Sequence, residues 1–272
     1  PLGEAIDRKD RDSLPDNAVV ITIDDAWFGS YRHMLPTLTG LELPATVYAT
    51  TYYALEQQPV FDVALNYVLA VGRPAKIAAT QFGLADGRHF DTARDDDRDA
   101  LADVLKESAE RQPETTRQDW LKSLCGVMDV SYDELVRSRQ FHLSTLAEIG
   151  EMHAAGIDIQ LHTHNHNIRE SDREKLADEI VLNRAHLAPH VDGIPDQFCY
   201  PSGVNAPAMA DVLAAAGVKS ATLVDAGLVS RDTNNYFLPR ILDGEEMHQI
   251  EIEAELAGVN ECYRMLRQRL GT

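Results

Sequence analysis

Ile159-Gln160-Leu161-His162-Thr163-His164-Asn165-His166-Asn167 is the stretch on which the fold turns. Its upstream edge alternates, with Ile157, Ile159 and Leu161 apolar and Asp158 and Gln160 polar, as in a half-buried strand. Three histidines within five residues follow where that strand would end. Imidazoles gathered at a strand tip can converge on a metal ion. A solvated loop or a hydrogen-bonded histidine cluster is the plainer alternative.

A second strand tip lies far upstream, where Val19-Val20-Ile21-Thr22-Ile23 runs into Asp24-Asp25. Two adjacent carboxylates at the end of a buried strand need a cation or protons beside them. An Asp-Asp pair alone is common at strand ends. Taken with the histidines, it leads us to expect that the two strand ends share one divalent metal.

Outward from these tips the chain alternates strand and helix. Residues 1–17 are polar and read as a lead-in loop. Ala18–Ile23 is the first strand, Ser30 can cap a helix running to Leu38 with Gly40 just past it, and Ala45–Thr50 is the second strand. Thr145 with Glu148, and Ser171 with Glu174, make capping boxes that open two further helices around the histidine strand. The second of these carries Leu176, Ile180 and Leu187 inward. Gln197–Tyr200, Lys219–Val224 and Tyr236–Ile241 read as strands, Asn205–Ala216 as a helix closed by Gly217, and Asn260–Leu270 as a final helix. Residues from about 55 to 143 differ: helical periodicity, a charged run from Asp91 to Asp99 and few strand signals. They read as an all-helical insertion, or lid, within a single domain spanning residues 1–272. Functional residues at the C-terminal ends of alternating strands point to a parallel sheet or barrel.

A chain of 272 residues can bury a substantial core. Its formal net charge of −19 disfavours nucleic acid and anionic lipid as non-specific partners. Cys125, Cys199 and Cys262 lack both metal-ligand spacing and a disulfide pattern. No segment has the length of a transmembrane helix. The chain begins at Pro1 rather than Met, so we expect a longer native N-terminus and leave the compartment open between cytoplasm and periplasm or exterior. Oligomeric state is open as well.

Asp25, His162 and His166 together offer one carboxylate and two imidazoles, a set that leaves a coordination position for water. Asp24 would then be free to act as general base. His164, in the middle of the turn, is expected to point away from the ion, toward substrate or the surrounding shell.

These residues also carry a resemblance. Thr22-Ile23-Asp24-Asp25-Ala26 resembles the first motif, Thr-Phe-Asp-Asp-Gly, of polysaccharide deacetylases with the NodB homology fold, carbohydrate esterase family 4. His162-Thr163-His164-Asn165-His166 fits the second motif, His-Ser/Thr-x-x-His, and Phe198-Cys199-Tyr200-Pro201-Ser202-Gly203 is similar to the third. The third motif, with Leu238-Pro239-Arg240-Ile241, is nearest to exopolysaccharide-associated members, which also tend to carry the insertion.

The resemblance implies a distorted (β/α) barrel and a hydrolase of linear amides that removes acetyl groups from an N-acetylated glycan. It implies Asp24 as base, and Asp25, His162 and His166 as ligands of one divalent ion: zinc first, with cobalt, nickel or manganese as alternatives. The Ser202 backbone N–H takes the oxyanion position, and Trp27, His164, Tyr200 and Pro201 are assigned to the substrate side. Three departures stand out. Ala26 replaces the usual glycine, Cys199 stands where many members place an arginine, and no clear motif supplies the general acid. Arg240 is the candidate to replace that arginine by pairing with Asp24, and His248 is the nearest downstream candidate for the acid. Two other readings compete. One is a different metal amidohydrolase, for example a deformylase; the other is a glycan-binding module that keeps its metal and has lost turnover.

Overall fold

The computed structural model describes residues 1–85, 87–169, 173–244 and 246–270. It divides into two compact units: residues 1–26, 30–52 and 146–272, and residues 27–29 and 53–145. The strands, in chain order, are β1 (Ile21–Ile23), β2 (Ala45–Ala49), β3 (Lys76–Ala78), β4 (His89–Asp91), β5 (Asp158–Leu161), β6 (Gln197–Cys199), β7 (Ser220–Ala226) and β8 (Leu238–Arg240).

The first unit is built on six strands in the order β1-β2-β5-β6-β7-β8. Every adjacent pair is parallel. Each strand lies beside its predecessor in the sheet, with no reversal of order, so the winding is that of a barrel wall rather than of a doubly wound sheet. The expected distorted (β/α) barrel is borne out as a curled half-barrel. Parallel strands covered on both faces need continuous apolar runs. All five residues of β2 are accordingly buried, as are the last three of β5.

The lead-in loop expected at residues 1–17 is in part a helix, Leu2–Asp10. Leu2, Ile6 and Lys9, at helical spacing, are its buried face. Leu2 and Ile6 pack with Tyr48, Cys199 and Leu238. The Leu2 N–H donates to Thr46 Oγ1, and Lys9 Nζ donates to the Thr233 carbonyl and Asn235 Oδ1 at 2.9 Å each. These partners lie at strand beginnings, so the helix covers the end of the barrel away from the strand tips. Polar composition hid it, because the lysine stem does the work of an apolar residue.

The expected helix after Ser30 is a π-turn, Ser30–Met34, continuing as the helix Leu35–Gly40. Helices Leu146–Ala154, Arg173–Leu187 and Pro207–Ala215 lie where the sequence reading put them, within a few residues. The Ser171 half of one capping box falls outside the described residues. The terminal helix Val259–Leu270 is preceded by another, Gln249–Leu256.

The second unit is mainly helical, from Phe61–Val71 through Asp95–Ala109 and Glu114–Val127 to Tyr132–Ser138. It is not all-helical, because β3 and β4 form an antiparallel pair. One buried residue on each, Ile77 and Phe90, is too short a signal for alternation to reveal. Its own core includes Phe61, Leu65, Leu101, Leu105, Leu121 and Met128.

Candidate metal centre

β1 and β5 each end in a left-handed bend that turns side chains off the sheet axis. Asp25 and Ala26 have φ of 69° and 62°, and Thr163 and His166 have 64° and 52°. Non-glycine residues pay about 1–2 kcal/mol for this conformation, and such strain gathers at functional sites. It also explains why glycine is the usual residue at the position of Ala26. The Asp24 carbonyl accepts from the Ala26 N–H at 2.9 Å, and Thr163 Oγ1 accepts from the His166 N–H at 3.0 Å.

The two bends bring Asp25, His162 and His166 together. Asp25 Oδ1 lies 3.3 Å from His162 Nε2 and 3.3 Å from His166 Nε2. His162 is buried, and its Nδ1 lies 2.8 Å from the Cys199 carbonyl. A carbonyl can only accept, so Nδ1 carries a proton, and Nε2 is the nitrogen that faces Asp25. Burial alone would lower the His162 pKa, but the Cys199 and Asp25 neighbours hold it well above the usual histidine value. His166 is pushed down, by burial and then by the charge of His162.

Asp24 faces a different partner. Arg240 Nη1 and Nη2 donate to its two oxygens at 2.7 and 2.8 Å, a bidentate pair from the last strand to the first. Arg240 is fixed in turn by Nε to the Leu223 carbonyl at 2.7 Å, Nη1 to Thr22 Oγ1 at 3.2 Å and Nη2 to Cys199 Sγ at 3.2 Å. Burial raises the Asp24 pKa, yet the Arg240 hydrogen bonds and the positive charge of His162 and Arg240 outweigh it. The carboxyl stays below its ordinary range. The departure at Cys199 is thus met spatially: the guanidinium arrives from position 240 and rests against the cysteine sulfur.

Among the described residues, two groups of donor atoms could hold a cation, namely Asp25 with His162 and His166, and Asp24 with His162 and Cys199. In the second, the Arg240 guanidinium already touches both Asp24 and Cys199, and its charge repels a cation there.

Ser202 sits exposed in the turn Pro201–Gly203 after β6, with φ 54°. Gly203, at φ +71°, has no room for a Cβ unless Val224 shifts, because the Cβ would overlap Val224 Cγ2. Tyr200 and Pro201 are buried, with Tyr200 stacked on Phe237. The Tyr200 hydroxyl has no hydrogen-bond partner among the described residues.

His164 points away from Asp25. Its Nδ1 is 2.8 Å from Thr51 Oγ1, and its ring stacks on His186. Trp27 falls in the second unit, where it bridges Leu143. His248 is not drawn into the cluster. It is the exposed N-cap of the helix Gln249–Leu256, and its N–H donates to Glu251 Oε2 at 2.7 Å.

Sequence reasoning missed Glu179 and Asn183, which hold the histidine turn from below. The available signal was their place on the same helical stripe as Leu176, Ile180 and Leu187, where a polar residue needs a partner.

Residues 135–221 match the family model described as polysaccharide deacetylase. No curated protein matches the chain. Among solved structures, the deacetylase PplD of Streptococcus pyogenes, in complex with acetate, aligns with a TM-score of 0.56 at 16% identity, over 93% of this chain and 77% of that one. A de-N-acetylase from Aggregatibacter actinomycetemcomitans gives 0.53 at 13%, over 93% and 80%. The deacetylase domain of BpsB from Bordetella bronchiseptica gives 0.51 at 14%, over 88% and 76%. The resemblance read from the Asp-Asp and histidine motifs is borne out in two respects: residues 135–221 match the polysaccharide deacetylase model, and the chain shares the fold of these deacetylase structures.

Proposed function

We propose that this protein is a metal-dependent hydrolase that removes N-acetyl groups from an N-acetylated glycan of the N-acetylglucosamine type. The observation that carries the proposal is one carboxylate oxygen meeting two imidazole nitrogens at 3.3 Å each, beside a second carboxylate clamped by arginine. Ligands about 2.0–2.1 Å from a tetrahedral zinc lie about 3.3–3.4 Å from one another, so the spacing fits that ion. The mixed carboxylate and imidazole donors fit it as well. Asp25, His162 and His166 would hold it.

A divalent ion there supplies Lewis-acid polarisation of the acetyl carbonyl and acidifies water. The remaining work falls to the chain. Asp24, kept anionic by Arg240, takes the proton from the attacking water. The Ser202 backbone N–H, presented by the strained turn, donates to the oxygen on which negative charge develops. Arg240 touches neither the substrate nor the attacking water in this scheme and acts by fixing the orientation and charge state of Asp24. Cys199 contributes its carbonyl, which sets the His162 tautomer.

The test is acetate release from N-acetylglucosamine oligomers and, in parallel, from O-acetylated glycans. Release from the N-acetylated series should stop with chelator and return with zinc. Release from the O-acetylated series alone would reassign the substrate, and no release by zinc-loaded protein would refute the hydrolase reading. The helices and strands described here include no helix long and apolar enough to cross a membrane.

A further inference from the structure

Glu179 and Asn183 sit within the aliphatic stripe of the helix Arg173–Leu187, only 4% and 0% exposed. A carboxylate and an amide buried among leucine and isoleucine need specific partners. Both find them on the turn that carries His162 and His166. Asn183 Oδ1 accepts from the His162 N–H at 3.1 Å, while its Nδ2 donates to the Ala49 carbonyl at 2.9 Å and to Thr51 Oγ1 at 3.2 Å. One side chain thereby ties the end of β5 to the end of β2. Glu179 accepts from the Asn165 N–H at 2.7 Å and from Asn165 Nδ2 at 2.6 Å, using one oxygen for each. One turn further along the helix, His186 stacks on His164 with ring centroids 5.0 Å apart.

We propose that Glu179 and Asn183 are positioning residues that set the affinity of the metal centre. This rests on reading Asp25, His162 and His166 as its ligands. Neither residue touches a ligand atom. Asn183 fixes the backbone of His162, and Glu179 fixes the residue just before His166. Between them they hold a turn with two left-handed residues, Thr163 and His166, in the shape that points both imidazoles at Asp25. The fold thus orders the turn before any ion arrives, and binding does not have to supply that ordering.

The experiment measures zinc affinity of the full chain by competition with a chromophoric chelator, alongside thermal unfolding of the metal-free protein. Asn183→Leu and Glu179→Ala should each weaken zinc by about 10–100-fold, as is usual when a group orienting a metal ligand is removed. Glu179→Gln keeps one carbonyl acceptor for Asn165 and should fall between them and the parent. Being nearly isosteric, it carries the test should the larger changes unfold the chain. Ile180→Val thins the packing of the same helix; it should lower the unfolding temperature and leave zinc affinity unchanged. Unchanged affinity in the folded Glu179 and Asn183 variants overturns the proposal, as does an equal loss in Ile180→Val. A parent protein that binds no zinc removes the metal-site reading itself.

Discussion

Replacing Arg240 with Met tests how the base is kept ready. The substitution preserves the bulk of the stem and removes two charge-assisted hydrogen bonds to Asp24, together with those to Leu223, Thr22 and Cys199. Breaking a buried pair by deleting one partner costs about 3–5 kcal/mol. Here the Asp24 side chain is 31% exposed, so water replaces part of the lost pairing and the cost falls to about 2–3 kcal/mol. With the guanidinium gone, burial becomes the dominant influence on Asp24 and drives its pKa up rather than down. An opposite charge at this range is worth about 1–3 pH units, so the acid limb of kcat/KM should move up by about that much. Arg240→Lys, which offers a point charge without the fork, should fall between Met and the parent. The assay is acetate release across pH with saturating zinc, and metal content is checked at each pH so that loss of the ion is not mistaken for protonation of Asp24. A folded, zinc-loaded Arg240→Met whose acid limb does not move would refute this account of Asp24.

Asp24→Asn should abolish acetate release while zinc content, measured by elemental analysis, stays at the parent level; loss of zinc would make Asp24 a ligand. Gly203→Ala should cost about 1–3 kcal/mol in denaturant melts, from a left-handed φ and an overlap with Val224, with partial recovery on adding Val224→Ala. His142 is buried, and burial followed by the charge of Arg139 brings its pKa down from 6.5 to about 4. The folded protein therefore binds that proton less readily than the unfolded chain. Its contribution, about 3 kcal/mol, is fully present above about pH 6.5 and is lost as pH falls toward 4. Unfolding free energies across this window should flatten in His142→Phe, and an unchanged slope would show that His142 is not the group responsible.

The cluster of Asp25, His162 and His166 was legible because each lies in a short local pattern at the end of an apolar strand. Asp24-Asp25 and His162 to His166 announce themselves in any reading frame of the fold. The order of strands was legible for the same reason, since each alternation of strand and helix is local. What could not be read depends on pairings remote in sequence. The helix Leu2–Asp10 shows only two apolar residues on its inner face, and its value lies in Thr46, Thr233 and Asn235. The short β3–β4 pair has one buried residue per strand. Glu179 and Asn183 look like solvated helix residues until the turn they hold is known to lie beneath them. Arg240 could be nominated from sequence, but its bidentate grip on Asp24 needed the curl of the sheet.

That curl leaves a seam. β1 and β8 are the two edges of the sheet and share no backbone ladder, yet Arg240 on β8 reaches Thr22 on β1 and Asp24 just beyond it. The barrel is thus latched at this point by a guanidinium whose partner, Asp24, is also the carboxylate proposed as the base. Fraying of the C-terminal strand would release Asp24 while Asp25, His162 and His166, carried by β1 and β5, stay gathered. Chemistry and ion retention then fail at different depths of unfolding, and mild denaturant should yield a species that still holds zinc but no longer turns over.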